Sequence, residues 1–550
     1  MNLRNQRGQT IALAYVAVLV ITVLGGSLLQ RSFGVTRVSQ NEQLSAQTFY
    51  KAEGGLEDAL AHFAQDIANF TIDSNTAQYP AAGVLTTTFA DGTTATSTIT
   101  QAEATPRTVP DDDGISLFVK NYHITTTMDD PTSTMRTVLH QIISRRIIYT
   151  FQHAVFYDQD LEWLPGADMT LSGRVHSNHD IYIGTHAILT VDSEYLRAVG
   201  DIFNKRKDSS EVMEGTVQIK KLGTSPAQYI AMNGLDSNSG SWAADSQTRW
   251  NGTVKSSDHN VAARAVPVVG SIATGGYYDT NATVKIVNGT ITQGGTTLVQ
   301  GTDVPPNTVT TTTTFYNNRE GKYVKMTEVD VRKLGGWYDC TGDGVEEQCY
   351  PNHLPSNGLL FATRNDAPAT QQPGVRLKRG SEISRAAGLT VVSEVPVYIQ
   401  GNYNTTSKKP AAVIADAVNI LSNAWSDTNS TVNNVNSGSA RTATTTTINS
   451  AFIAGVEKTT SGHYNGGLEN FPRFHERWTG VTMNITGSFV SLWEPTIGLG
   501  DWKYGQQSSN SQYTAPTRNW HYDTAFSSGT SLPPFTPFAV EITKGAWWVE

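Results

Sequence analysis

The densest set of cation-ligating residues in this sequence is Asp339-Cys-Thr-Gly-Asp-Gly-Val-Glu-Glu347. Counted from Asp339, oxygen-bearing side chains stand at the first, third, fifth and ninth places: Asp339, Thr341, Asp343 and Glu347. Gly344 stands sixth, where an EF-hand loop turns sharply, and the Val345 carbonyl stands seventh. Calcium takes six to eight oxygens at about 2.3–2.6 Å, and this spacing wraps oxygens around one point. The twelfth place is Tyr350, not a bidentate glutamate, and no clear helix leads in, so a full EF-hand is not expected. Cys340, the second residue of the run, and Cys349, two places beyond it, would close it as a local disulfide in an oxidising compartment. The alternative is a plain Asp/Gly turn under that disulfide.

Other candidate groups point to structure before chemistry. His176, His179 and Asp180 have an H-x-x-H spacing, but they fall in a strand-and-turn pattern without a third ligand. His463, His475 and Glu476 are discounted in the same way. There is no G-x-S-x-G elbow, H-E-x-x-H helix or P-loop, and no enzymatic activity is expected. Trp493, Trp502, Trp520, Trp547 and Trp548 could stack sugars, although the reading preferred is that they fill and cap a core.

Composition limits where these groups can operate. Charged residues make up 16% of the 550, and the net charge of −9 leaves no basic footprint for nucleic acid. A chain this long should bury a large core in at least two domains.

The element that decides location is the N-terminal segment. Arg4 and Arg7 precede a run from Gly8 to Gln30 without any charge, closed by Arg31. About twenty such residues at ~1.5 Å rise span a bilayer core of ~30 Å. The basic side stays in the cytoplasm, which places everything after Arg31 outside. A cleaved secretory signal is the rival, but its apolar region would be shorter and end at a small-residue site. Beyond the run, Phe49, Ala52, Leu56, Leu60, Phe63 and Ile67 recur at helical spacing among Lys51, Glu53, Glu57 and Asp58. The membrane segment therefore continues into an amphipathic helix, with Gly25-Gly26 and Gly34 as its weak points.

Arg7-Gly8-Gln9-Thr10 before the apolar run, and Ala46-Gln-Thr-Phe-Tyr-Lys-Ala-Glu-Gly-Gly-Leu-Glu57 after it, resemble the type IV pilin-like proteins, specifically large minor pilins of the PilX type. Segments Leu171–Gly184, Gly388–Tyr403, Leu468–Phe474 and Arg518–Phe526 look like stretches of the same proteins. The resemblance implies cutting by a prepilin peptidase between Gly8 and Gln9. It also implies assembly with major and minor pilins through the N-terminal helix, in or from the bacterial inner membrane. The fifth position after the cut is Leu13, where pilins usually carry a glutamate. Losing a membrane-buried carboxylate suits a subunit without one of its usual neighbours, so a place at the fibre tip, with a possible tip adhesin as partner, is expected. The loop at 339–347 looks like the short calcium loops of pilus-associated proteins.

Between 69 and 150 the pattern alternates as strands, in Leu85–Phe89, Ile115–Thr127 and Arg136–Thr150. From 151 onward, β-rich bursts are separated by Gly, Asn and Ser: Val175–Ile183, Ala187–Val191, Leu389–Val392, Val397–Gly401, Ala412–Leu421, Ile448–Ala454 and Val481–Leu492. Stretches Thr310–Thr314 and 426–447 read as exposed loops. The expected fold is α+β and mainly β. Residues 1–8 are a leader, and 9–68 a helix with its membrane segment at 10–30. Residues 69–150 form a sheet on which that helix packs. Residues 151–550 form a β-rich body, parallel β-solenoid-like or alternatively a β-sandwich, with the calcium-loop-like insertion near 337–350.

Overall fold

The computed structural model describes residues 4–111, 113–312, 314–436, 441–461, 464–500, 502 and 511–550. A long N-terminal apolar helix is followed by a large β-rich body, as expected. The helix runs unbroken from Arg4 to Ala68, straight through Gly25-Gly26 and Gly34.

The chain divides into two compact units. The first holds residues 1–109, 118–146 and 540–550. Its sheet runs in the order Gln78–Tyr79, Thr94–Gln101, Ser116–Asp129, Arg136–Tyr149, Phe538–Val549. The last strand is a difference from the expected 69–150 sheet, since its residues lie almost 400 positions from their neighbour. The inner part of the helix buries Thr48, Ala52, Leu56, Ala59, Phe63 and Ile67. Phe49 and Leu60, expected on the stripe, sit at its margins, half-buried. Gly55 permits the close approach: a Cβ there would lie 2.7 Å from that of Ala95, and Ser97 Oγ donates to the Gly55 carbonyl at 3.2 Å.

The second unit, residues 110–117 and 147–539, is built of parallel strands that stack turn upon turn. One turn reads Val155–Tyr157, Leu161–Trp163, Met169–Ser172, and the next Val175–Ser177, Ile181–Ile183, Ile188–Asp192. Equivalent strands pair in register: Val155↔Val175↔Leu196, Leu161↔Ile181↔Ile202, and Met169↔Leu189↔Val217. All the β-rich bursts named from the sequence fall in such strands. Inward side chains of every turn meet those of the next. Aliphatic residues and the rings of Phe452, Phe489 and Trp520 fill the interior, with Phe489 stacked on Trp520 at 4.8 Å.

The order of the turns is not the order of the chain. Starting at Val155, the chain moves along the stack to Val254–Lys255. It then reappears at the other extreme, Val284–Val287, and works back through Leu359, Leu389, Ala411 and Ala451 to Phe489–Ser491. There Phe489 pairs with Val155, and Arg518 on a second face pairs with Met169, both parallel. At Gly173 (φ +95°) an added Cβ would lie 2.4 Å from Tyr522 Cβ, so the junction admits only glycine. The extremes are covered: Trp242 and Trp250 of a short helix are buried at one, and an antiparallel Val284–Thr297 meander forms the other. Two stretches expected as exposed loops differ: Thr310 and Thr314 lie in strands, and Ser430, Val435, Arg441, Ala443 and Thr446 of 426–447 are buried.

Candidate membrane anchor and cation loop

The helix is long and apolar enough to cross a membrane; its best window has a mean hydropathy of 2.4 and is wholly unburied by protein. Ile11, Leu13, Leu19, Ile21 and Leu28 are each 60% exposed or more. Two of its hydroxyls are satisfied within the helix: Thr22 donates to the Val18 carbonyl at 2.8 Å and Ser27 to that of Leu24 at 2.9 Å. A lipid-facing helix requires this, because no water is available to pair free polar groups. Gly8 and Gln9 lie on the same continuous helix, and Leu13 is fully available to a neighbour.

The loop at 339–347 is the tip of a small hairpin in which Trp337–Tyr338 pairs antiparallel with Glu347–Gln348. Cys340 and Cys349 form a disulfide across it. The carboxylate oxygens of Asp339, Asp343 and Glu347 lie within 4.8 Å of one another. Each also holds loop backbone. Asp339 accepts from the Gly342 and Gly344 amides at 2.6 and 2.8 Å, Asp343 from Val345 at 2.8 Å, and Glu347 from Cys340 at 2.9 Å. An ionised carboxylate has about four lone-pair sites, so acceptor capacity remains toward the centre. Thr341 and Val345 are exposed on the same turn. Glu346 points elsewhere, pairing with Arg332 at 2.7 Å and with Arg379. Tyr350, at the twelfth place, packs its ring on Tyr338.

The histidines have other partners. His176 is buried with Nε2 3.0 Å from Asn178 Oδ1 and Nδ1 3.3 Å from Tyr195 Oη, and burial pushes its pKa down to about 4. Asp180 accepts the Asp201 amide at 2.8 Å. His475 contacts Asn419 Oδ1 at 2.9 Å, and Glu476 accepts from the Ser422 amide and hydroxyl at 2.6 and 2.7 Å. His463 lies outside the described residues. Of the five tryptophans, Trp520 is buried and Trp493 and Trp502 half-buried. Trp547 and Trp548 depart from the expected core role: they are 46% and 42% exposed, because the strand carrying them is the edge of its sheet.

Sequence reasoning missed a group of buried acids. On the third face of the stack, Pro472–Phe474 and Leu161–Trp163 end their respective sheets, with no pairing between them among the described residues. A turn at Leu468–Asn470 fills the break, where Glu469 accepts the Leu164 amide at 3.1 Å and the Tyr464 hydroxyl at 3.0 Å. Glu162 is also buried there. Burial pushes both carboxyls up to about 7. Nothing in local sequence announces this, since the groups converge from positions some 300 residues apart.

Among solved structures, the chain is similar to the competence-associated pilin ComZ from Thermus thermophilus. The identity is 12%, the TM-score 0.21, and the match covers 92% of this chain and 97% of that one. No protein-family model and no curated protein matches the chain.

The buried acids set a pH dependence. Folded, Glu162 and Glu469 keep their protons up to about pH 7, whereas in the unfolded chain they lose them near the ordinary glutamate value of about 4.3. Between those values the folded state binds more protons, so stability falls as pH rises. Between pH 5.5 and 8 the buried acids lower the melting temperature, so a Glu162→Gln, Glu469→Gln double variant should lose less of it over that range than the parent does. The raised carboxyl of Glu476 and the depressed ring of His176 act equally in both.

Proposed function

We propose that this chain is a membrane-anchored, pilin-like minor subunit of the PilX type, non-enzymatic, incorporated at or near the tip of a type IV pilus-like fibre. The observation that carries the reading is the division of labour along one helix. Its outer half is apolar and uncovered, while its inner half lies by an apolar stripe on an antiparallel sheet. Such a helix can hold the protein in the inner membrane before assembly and pack among the helices of other pilins afterwards. Leu13 removes the carboxylate that would need a matching amine from the next subunit, which favours a terminal position. The stacked parallel turns are read here as a β-solenoid body displayed outside the membrane, a rigid platform for a binding surface or a tip adhesin partner.

Prepilin peptidase is the expected processing partner. N-terminal sequencing of membrane-extracted protein should find Gln9 first, and Gly8→Val should abolish both the cut and recovery of the protein in sheared fibres. An intact Met1 terminus in cells that contain the peptidase would defeat the fibre reading and leave a tethered adhesin in its place.

The same reading assigns calcium to the disulfide-closed loop. Asp339, Asp343 and Glu347 would hold the ion with the Thr341 hydroxyl and the Val345 carbonyl. Three convergent carboxylates repel one another without a cation, and binding would stabilise the fold by about 2.7 kcal/mol at a hundredfold excess over Kd. The melting temperature should be higher in millimolar calcium than in chelator, with magnesium weak because it demands octahedral geometry. Asp343→Ala should remove the difference. Identical melts in calcium and chelator would reduce the loop to a disulfide-bound turn.

A further inference from the structure

On the first unit's sheet, residues facing the helix alternate with residues facing away. Tyr122, Ile124 and Thr126 are buried on one strand and Leu139, Gln141 and Ile143 on the next. His123 and His140 therefore share the opposite face, on adjacent strands. His123 Nε2 lies 3.1 Å from His140 Nδ1, while the ring centroids are 5.1 Å apart at an interplanar angle of 24°. The nitrogens account for the shortest path between the rings, so the imidazoles lie side by side with these two atoms facing each other. Thr125 Oγ1 is 3.3 Å from the same His140 nitrogen. Trp548, on the edge strand, lies nearly parallel to both rings, at 5.3 and 4.9 Å. Glu550 Oε2 is 3.2 Å from the other nitrogen of His140, Nε2.

We propose that His123 and His140 form a site for a borderline divalent transition metal such as Cu²⁺ or Zn²⁺. Two imidazole ligands at about 2.0–2.1 Å from a tetrahedral metal stand roughly 3.3 Å apart, close to the separation already in place. Glu550 supplies the orienting partner usual for a metal-bound histidine: it accepts the His140 Nε2 proton and leaves the Nδ1 lone pair free. In the metal-free pair, His123 Nε2–H donates to that lone pair. On binding, the proton moves to His123 Nδ1, both facing nitrogens ligate, and no net proton is released. Thr125 Oγ1 and water complete the shell. Zinc and copper suit imidazole, whereas calcium does not, so this site and the 339–347 loop take different ions.

The test is electron paramagnetic resonance of the full chain in detergent with one equivalent of Cu²⁺. The expected spectrum shows coupling to two imidazole nitrogens and disappears with excess Zn²⁺. It should be lost in His123→Ala and His140→Ala, and in His123→Gln should any alanine variant fold poorly. His186→Ala, at an exposed histidine elsewhere in the chain, should keep it. Glu550→Gln should weaken binding about tenfold or more, and copper should quench Trp548, an effect absent in Trp548→Phe. A copper signal unchanged by either His123 variant, or no bound copper at one equivalent in the wild-type chain, would overturn the proposal.

Discussion

The structure of the body depends on a parallel pairing between its last turns and its first. Phe489–Ser491 lies in register with Val155–Tyr157, and the strand Thr517–Tyr522 with Met169–Ser172. A stack of turns buries inward side chains only where another turn lies above or below. The first turn would otherwise present Val155, Leu171 and Trp163 to water on one side. Returning the chain to that place covers it with Phe489 and Trp520, both essentially inaccessible to solvent.

This closure explains the rest of the chain's path. The body begins and ends at neighbouring points, where the Thr150 amide and hydroxyl both donate to the Pro537 carbonyl, at 3.1 and 2.8 Å. Arg136–Tyr149 and Phe538–Val549 can therefore be neighbours in one sheet although the entire body lies between them in sequence. In effect the body is one very long connection between adjacent strands, and close termini are what make such an insertion tolerable. The anchor unit keeps a continuous sheet behind its helix, and Trp548 and Glu550 are brought back beside His123 and His140. Among the described residues the third face has no such pairing, and there the fold places a turn and buried carboxyls instead of strand hydrogen bonds.

Much of this was legible locally. The uncharged run from Gly8 to Gln30, the helical spacing of Ala52, Leu56, Phe63 and Ile67, and the β-rich bursts each declare their element within a window of a few residues. The nine-residue separation of Cys340 and Cys349 fits a local disulfide in an oxidising compartment, and the spacing of Asp339, Asp343 and Glu347 around Cys340 points to convergent carboxylates. What was not legible is every feature set by long-range order. The re-entry of the chain beside Val155 has no marker in residues 481–522. Glu162 and Glu469 look like ordinary solvated acids, and Trp547 and Trp548 look like core until the strand that carries them proves to be an edge. Periodicity reports which way a side chain faces, but not which distant segment it faces.

Hydrogen–deuterium exchange on the full chain, with Trp520→Ala compared to the parent, tests the closure most directly. The account predicts that removing this ring speeds exchange not only in 482–522 but also in Val155–Tyr157 and Met169–Ser172, more than 300 residues earlier. It would be contradicted by faster exchange confined to 482–522, with the first turn unchanged.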